Sequence, residues 1–252
     1  MVDKTLFKGL QLLELLAISS KPRGVKDLSV ETGFTPSNVH RLLKTLEQMN
    51  YVSQAGPRGT YQATPRLFAL GRAIVDRIEI GTLSLPFLQR LHELSGGSAS
   101  LSIWYENGPL LIKSVESRNR HPMRTSWAVG SKLSTLCTSA GLTLLAYQPA
   151  AIIAEFAEDI TPATPRSIST AEELHQRLDA IRRDGICIAE GEWQFGLSAL
   201  SVPVVRHGDT VAVLTISGAT DDLPKKKISA LIKPLRAAAT DLSNVLQGHF
   251  SI

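Results

Sequence analysis

Thr35-Pro36-Ser37-Asn38-Val39-His40-Arg41-Leu42-Leu43-Lys44-Thr45-Leu46 is the stretch on which the reading of this 252-residue chain turns. Thr35 is a helix N-cap and Pro36 suits the first helical position, where no N–H is needed. The spacing predicts a helix running to about Asn50, with Val39, Leu42, Leu43, Leu46 and Met49 on its buried face. The opposite face carries Ser37, Asn38, His40, Arg41, Lys44 and Gln48. Upstream, Val25–Thr32 reads as a short helix with Val25 and Leu28 inward, stopped by Gly33. Before it, Ser19 to Gly24 reads as a turn, and Lys4 to Ile18 as a helix with Leu6, Leu10, Leu13 and Ala17 in one stripe. Two short helices, a glycine turn and a polar-faced third helix make a helix-turn-helix pattern.

That pattern has a chemical reading. The N-terminal half of a recognition helix must reach base edges while nearby cations hold phosphates. Ser37, Asn38 and Arg41 supply donors and acceptors for the major groove, Arg41 suiting guanine; Lys44 suits a phosphate, and Thr35 and His40 are further DNA-binding candidates. A plain helical hairpin with a solvated face has the same spacing, so the next segment matters. Tyr51 to Gln54 and Thr60 to Ala63 read as strands around Ala55-Gly56-Pro57-Arg58-Gly59. A hairpin placed there is a wing, and Arg58 at its tip is either a contact to the backbone or minor groove or a solvated loop residue. Residues 1–80 hold 11 Lys and Arg against 7 Asp and Glu, whereas the other 172 residues balance, so the whole net charge of +4 lies in this first third.

Residues 1–65 therefore read as a winged helix-turn-helix DNA-binding domain. Thr64-Pro65 starts a linker helix over 66–80, with Leu67, Leu70, Ile74 and Ile78 on one face. Residues 81–252 read as a separate α+β domain. There, Thr82 to Ser95 suggests a helix, and Ser98 to Tyr105 and Pro109 to Val115 suggest a hairpin turning at Glu106-Asn107-Gly108. Thr170 with Glu173 forms a capping box for a helix ending before Gly185. Ala199 to Val205 and Thr210 to Ser217 read as strands around His207-Gly208-Asp209, and a last helix lies within Pro224 to Gln247. Thr138-Ser139-Ala140-Gly141 opens another helix. Its small residues and free N–H groups suit an anion such as a carboxylate, or else they are only a cap and close packing.

Several of these stretches resemble the IclR family of transcription regulators. Phe7-Lys8-Gly9-Leu10 is similar to the family's opening, and Thr35 to Leu46 to its recognition helix. Val129 to Leu133, Ser139 to Ala146, Asp184-Gly185-Ile186, Glu190-Gly191-Glu192 with Gly196, and Leu214 to Gly218 follow in family order. The resemblance implies a GAF/PAS-like effector domain, an antiparallel sheet flanked by helices. It also implies homodimers, or dimers of dimers, touching through their DNA-binding parts, and a pseudo-palindromic double-stranded operator. Family pocket positions fall on Ser139, Ala140, Ala189, Leu197, Ala199, Thr215 and Ser217, with Gly141 in the same motif. Ala189 and Ala199 replace an acidic residue and a cysteine of some acid-binding members, which argues against a very small oxo-acid. Trp127, Trp193 and Phe195 are available to line a larger pocket, so the effector is expected to be a small carboxylate or an aromatic compound.

The rival reading is a small hydrolase or transferase built on the C-terminal domain. No G-x-S-x-G, P-loop or G-x-G-x-x-G occurs, and the six histidines lack metal-ligand spacing. Neither a cofactor nor a metal is called for. Cys187 sits between Ile186 and Ile188 as a core residue would, and Glu190 with Glu192 is a weak candidate carboxylate pair. A third reading, a winged helix that only pairs with another protein, predicts no salt-dependent DNA affinity. Two isolated thiols and no membrane-length apolar run fit a cytoplasmic chain outside the membrane.

Overall fold

The computed structural model describes residues 3–55, 59–77, 79–116 and 127–248. The chain divides into two compact units, Met1–Arg77 and Ile78–Ile252. In the first, α1 (Lys4–Ile18) is capped by Asp3, whose Oδ1 accepts from Thr5 N and Leu6 N at 2.8 and 2.9 Å. Leu12, Leu13 and Leu16 enter the core, while Leu6, Phe7 and Leu10 are exposed. The expected stripe is therefore rotated. Two leucine faces overlap on this helix, and periodicity alone does not say which one meets a neighbour.

Helix α2 (Val25–Thr32) ends at Gly33, whose φ of 71° is left-handed and whose N–H donates to Ser29 O. Helix α3 (Pro36–Gln48) is capped by Thr35 and buries Val39, Leu42 and Leu43 against Leu12, Leu16 and Leu28. Met49, expected inside, is the exposed C-cap residue, because the helix stops before it. The segment read as a turn ends in a two-residue strand, β1 (Arg23–Gly24). It pairs with β3 (Thr60–Ala63), which pairs with β2 (Val52–Ala55) to complete the wing sheet. Arg58 lies outside the described residues. The linker helix, α4 (Arg66–Arg77), ends at the unit boundary.

In the second unit the helix expected over Thr82–Ser95 is two, α5 (Glu79–Leu83) and α6 (Leu85–Ser95), parted at Ser84 with Pro86 in the first turn of α6. Five antiparallel strands follow: β4 (Ser98–Trp104), β5 (Pro109–Val115), β6 (Cys187–Glu190), β7 (Leu197–Arg206) and β8 (Asp209–Ala219), in the order β5-β4-β8-β7-β6. The β4–β5 turn centres on Glu106 and Asn107, with φ of 43° and 59°, and Tyr105 and Gly108 exchange both backbone hydrogen bonds. The left-handed pair matches the right-handed twist of the strands. His207 and Gly208 do the same between β7 and β8.

Residues of β7 and β8 alternate between two environments. Leu200, Val202, Val204, Ala212, Leu214 and Ile216 pack with α6 and with α10 (Lys225–Gly248), contributing roughly 1.5–3 kcal/mol for each large side chain buried. The other face meets α7 (Ser139–Ala146), behind which α8 (Ala150–Glu158) and α9 (Ala171–Asp184) form a second core with Cys187. The capping box of α9 is present, with Glu173 Oε2 accepting from Thr170 N and Ser169 N. This is the helix-flanked antiparallel sheet expected of a GAF/PAS-like domain.

Candidate functional site

On α3, the side chains of Ser37, His40, Arg41 and Lys44 are exposed on the face opposite Val39, Leu42 and Leu43. Thr35 spends its hydroxyl oxygen on the cap, accepting from Asn38 N at 3.4 Å. Arg41 Nη2 donates to Asn38 Oδ1 at 3.4 Å, so this cation and amide are presented together. Lys44 Nζ is paired with Glu47 at 2.8 Å, and that hydrogen bond raises the ammonium pKa. A phosphate contact by Lys44 would have to displace Glu47.

In the second unit, two rows of small residues cross the sheet face beneath α7. Ala189, Ala199 and Ser217 are in register across β6, β7 and β8, and Ser201, Thr215 and Ser100 form the next row. Small side chains leave a depression there, a cavity of about 70 Å³. Seven of the eight residues expected around an effector line it: Ser139, Ala140, Ala189, Leu197, Ala199, Thr215 and Ser217. Gly141 does not. A Cβ there would stand 2.4 Å from Thr135 O and 2.5 Å from Ser134 O, so glycine permits α7 to lie against that backbone.

The hydroxyls form a chain, Ser139 Oγ to Ser201 Oγ at 2.6 Å and Ser201 Oγ to Thr215 Oγ1 at 2.9 Å. Thr138 caps α7 through Gly141 N, leaving the N–H groups of Ser139 and Ala140 without intrahelical partners. Trp127 and Trp193 add an aromatic wall, their ring centroids 5.4 Å apart, whereas Phe195 is exposed and lines nothing here.

Sequence reasoning placed Glu192 only in a weak carboxylate pair, whereas it lines the cavity and is only 11 % exposed. Its Oε1 accepts from Arg177 Nη2 on α9 at 2.9 Å. Burial pushes the Glu192 carboxyl above its usual range, and the Arg177 charge opposes that rise. Arg177 also donates to Ile188 O, tying α9 to β6. Glu190 pairs instead with Arg166, so the two carboxylates are held by different arginines. The Cys187 thiol is fully buried, and desolvation pushes its pKa up to about 12, the opposite of what a nucleophile needs. Among the described residues no His, Cys, Asp or Glu group could hold a metal ion.

Comparison with known sequences matches residues 5–56 to the IclR helix-turn-helix domain and residues 72–244 to the bacterial transcriptional regulator IclR C-terminal domain. The chain belongs to the IclR family. The DNA-binding transcriptional repressor YiaJ of Escherichia coli (strain K12) is 29% identical over 251 residues, covering 97% of this chain and 88% of YiaJ. The Pca regulon regulatory protein of Pseudomonas putida is 24% identical, covering 97% of this chain and 84% of that protein. In fold, the chain is similar to an IclR homolog from Microbacterium hydrocarbonoxydans complexed with 4-hydroxybenzoate, with a TM-score of 0.84 at 18% identity, covering 98% of this chain and all of that one.

This IclR-family chain is thus a DNA-binding regulator with a C-terminal effector domain, and its relatives are transcription regulators rather than enzymes. Among its described residues no helix is long and apolar enough to cross a membrane.

Proposed function

We propose that this regulator binds a pseudo-palindromic operator as a homodimer or dimer of dimers, reading bases through Ser37, Asn38 and Arg41. His40, Lys44 and Arg58 would meet the backbone. The observation that carries this reading is the coupled Arg41–Asn38 pair on the exposed face of a capped recognition helix. Exposed Phe68 and Ile74 on α4, with Leu6, Phe7 and Leu10 on α1, are large apolar side chains left without cover in one copy, which favours self-association.

The effector is a small organic acid in the cavity of the second unit. Its carboxylate meets the N–H groups at the start of α7, beside Ser139 and Ala140, and its body lies over Ala189, Leu197, Ala199, Thr215 and Ser217. The 4-hydroxybenzoate bound by the Microbacterium homolog is an acid of this kind. An effector shifts operator affinity only by binding the DNA-competent and incompetent arrangements differently.

Selection from a random duplex pool at two salt concentrations tests the first part. It should return a two-fold symmetric motif. Arg41→Ala should relax one base position by about 1–3 kcal/mol, and Lys44→Ala should weaken all sequences alike and lower the salt slope by about one. An Arg41→Ala protein that keeps full selectivity would sink the assignment.

A further inference from the structure

Glu192 has one oxygen in use and one in hand. Its Oε1 is held by Arg177, while Oε2 is shut off from solvent and has no hydrogen-bond partner among the described residues. A buried acceptor in that condition is costly unless something donates to it. The surroundings hold it in place: Ser167 Oγ donates to the Glu192 carbonyl at 2.6 Å, and Thr164 Oγ1 donates to the neighbouring Gly191 carbonyl at 2.7 Å. The residue is therefore fixed at the edge of a cavity with an unused acceptor.

We propose that Glu192 selects the effector by accepting, at Oε2, a hydrogen bond from a neutral O–H or N–H donor on the bound acid. This deepens the effector reading above and rests on it. The polarity follows from charge. The ligand's carboxylate cannot lie against another carboxylate, so it takes the α7 end, and the donor takes the Glu192 end. Arg177 already balances the Glu192 charge, so a neutral donor completes the site, whereas an ammonium would set a second cation beside the Arg177 guanidinium. The effector class is a hydroxylated organic acid, not the parent acid and not an amino acid.

Calorimetric titration of the full-length protein tests this with matched probes: benzoate, 4-hydroxybenzoate and 4-methoxybenzoate, then hexanoate, 6-hydroxyhexanoate and 6-aminohexanoate. In the wild type, a hydroxy acid should bind roughly tenfold to a hundredfold more tightly than its parent, methoxy or amino counterpart. Glu192→Gln keeps an oxygen for Arg177 and puts an amide NH2 where Oε2 stood. It should bring the hydroxy and methoxy acids to within about threefold of each other. Ala199→Phe, which fills the cavity from the sheet, should abolish binding of every probe.

Each alternative result is informative. Equal wild-type affinities, or a preference unchanged in Glu192→Gln while Ala199→Phe still blocks binding, would overturn the role of Glu192 and leave the effector site standing. Binding that survives Ala199→Phe would overturn the site itself. Failure of every probe to bind wild type would overturn the hydroxylated-acid class. Should Glu192→Gln fold poorly, the double variant Arg177→Met, Glu192→Leu removes the acceptor without stranding a charge, and a hydroxy-acid preference that survives in it would overturn the role of Glu192.

Discussion

Replacing Arg177 with methionine keeps the aliphatic stem and removes the charge, which isolates what the Arg177–Glu192 pair does for the fold. Breaking a buried ion pair by deleting one partner costs about 3–5 kcal/mol, because the survivor is a buried charge. Here Arg177 is 34 % exposed and Glu192 11 %, so solvent screens part of that, and the loss should be about 2–3 kcal/mol at pH 8. For a domain of this size that is a fall of roughly 4–12 °C in Tm.

The deficit should also depend on pH. Burial raises the folded-state pKa of Glu192, so its proton is held more tightly folded than unfolded. Its contribution to stability is then greatest at acid pH and is lost as pH rises through the folded value. Arg177 opposes that rise, and without it the folded pKa climbs further. The Arg177→Met deficit should therefore shrink on going from pH 8 toward the ordinary glutamate range of about 4.3, where Glu192 can protonate. Thermal unfolding followed by circular dichroism at several pH values, with Arg177→Met, Glu192→Leu and the double variant, measures all of this. The double variant should recover about half of the single loss, and the bond to Ile188 O accounts for the remainder. A deficit below about 1 kcal/mol at pH 8, or one independent of pH, would refute the reasoning.

Gly141→Ala should cost about 1–3 kcal/mol or more, since its Cβ would lie 2.4 Å from Thr135 O and 2.5 Å from Ser134 O, both backbone atoms. Denaturant titration checks this, and a neutral substitution would mean that the start of α7 yields easily. Cys187 should resist alkylation by iodoacetamide at pH 8 in the folded protein and react readily in denaturant. With a pKa of about 12, on the order of one thiol in ten thousand is ionised. Rapid native labelling at that position, read by peptide mass spectrometry, would contradict its burial.

Local signals were the legible part of this fold. Thr35 with Pro36, Gly33, and Thr170 with Glu173 act within four residues of themselves, so the end of α2, the start of α3 and the start of α9 could be read nearly in place. The hairpin at Glu106–Gly108 was equally plain, although the left-handed pair is Glu106–Asn107 and the glycine follows it. Features made by distant residues were hidden. Arg23 and Gly24 become a strand only because Tyr61 and Thr60 lie alongside, and two residues have no periodicity to read. The cavity's outline was available through family likeness, but Ser201 and Glu192 were not. Their roles come from partners on other elements, Ser139 and Thr215 for the first and Arg177 for the second. Gly141 was visible as a small residue at a helix start, and only the carbonyls packed against it say why it is small.

The alternation along β7 and β8 separates two kinds of heritable change. Leu200, Val202, Leu214 and Ile216 answer to the packing of α6 and α10, while Ala199, Thr215 and Ser217 answer to whatever occupies the cavity. A lineage can therefore exchange one metabolite for another by altering every second residue of two strands, without disturbing the half of the domain that keeps it folded. A substitution scan along either strand should show that division as a tolerance rhythm of two, with ligand profile shifting at odd positions and abundance falling at even ones.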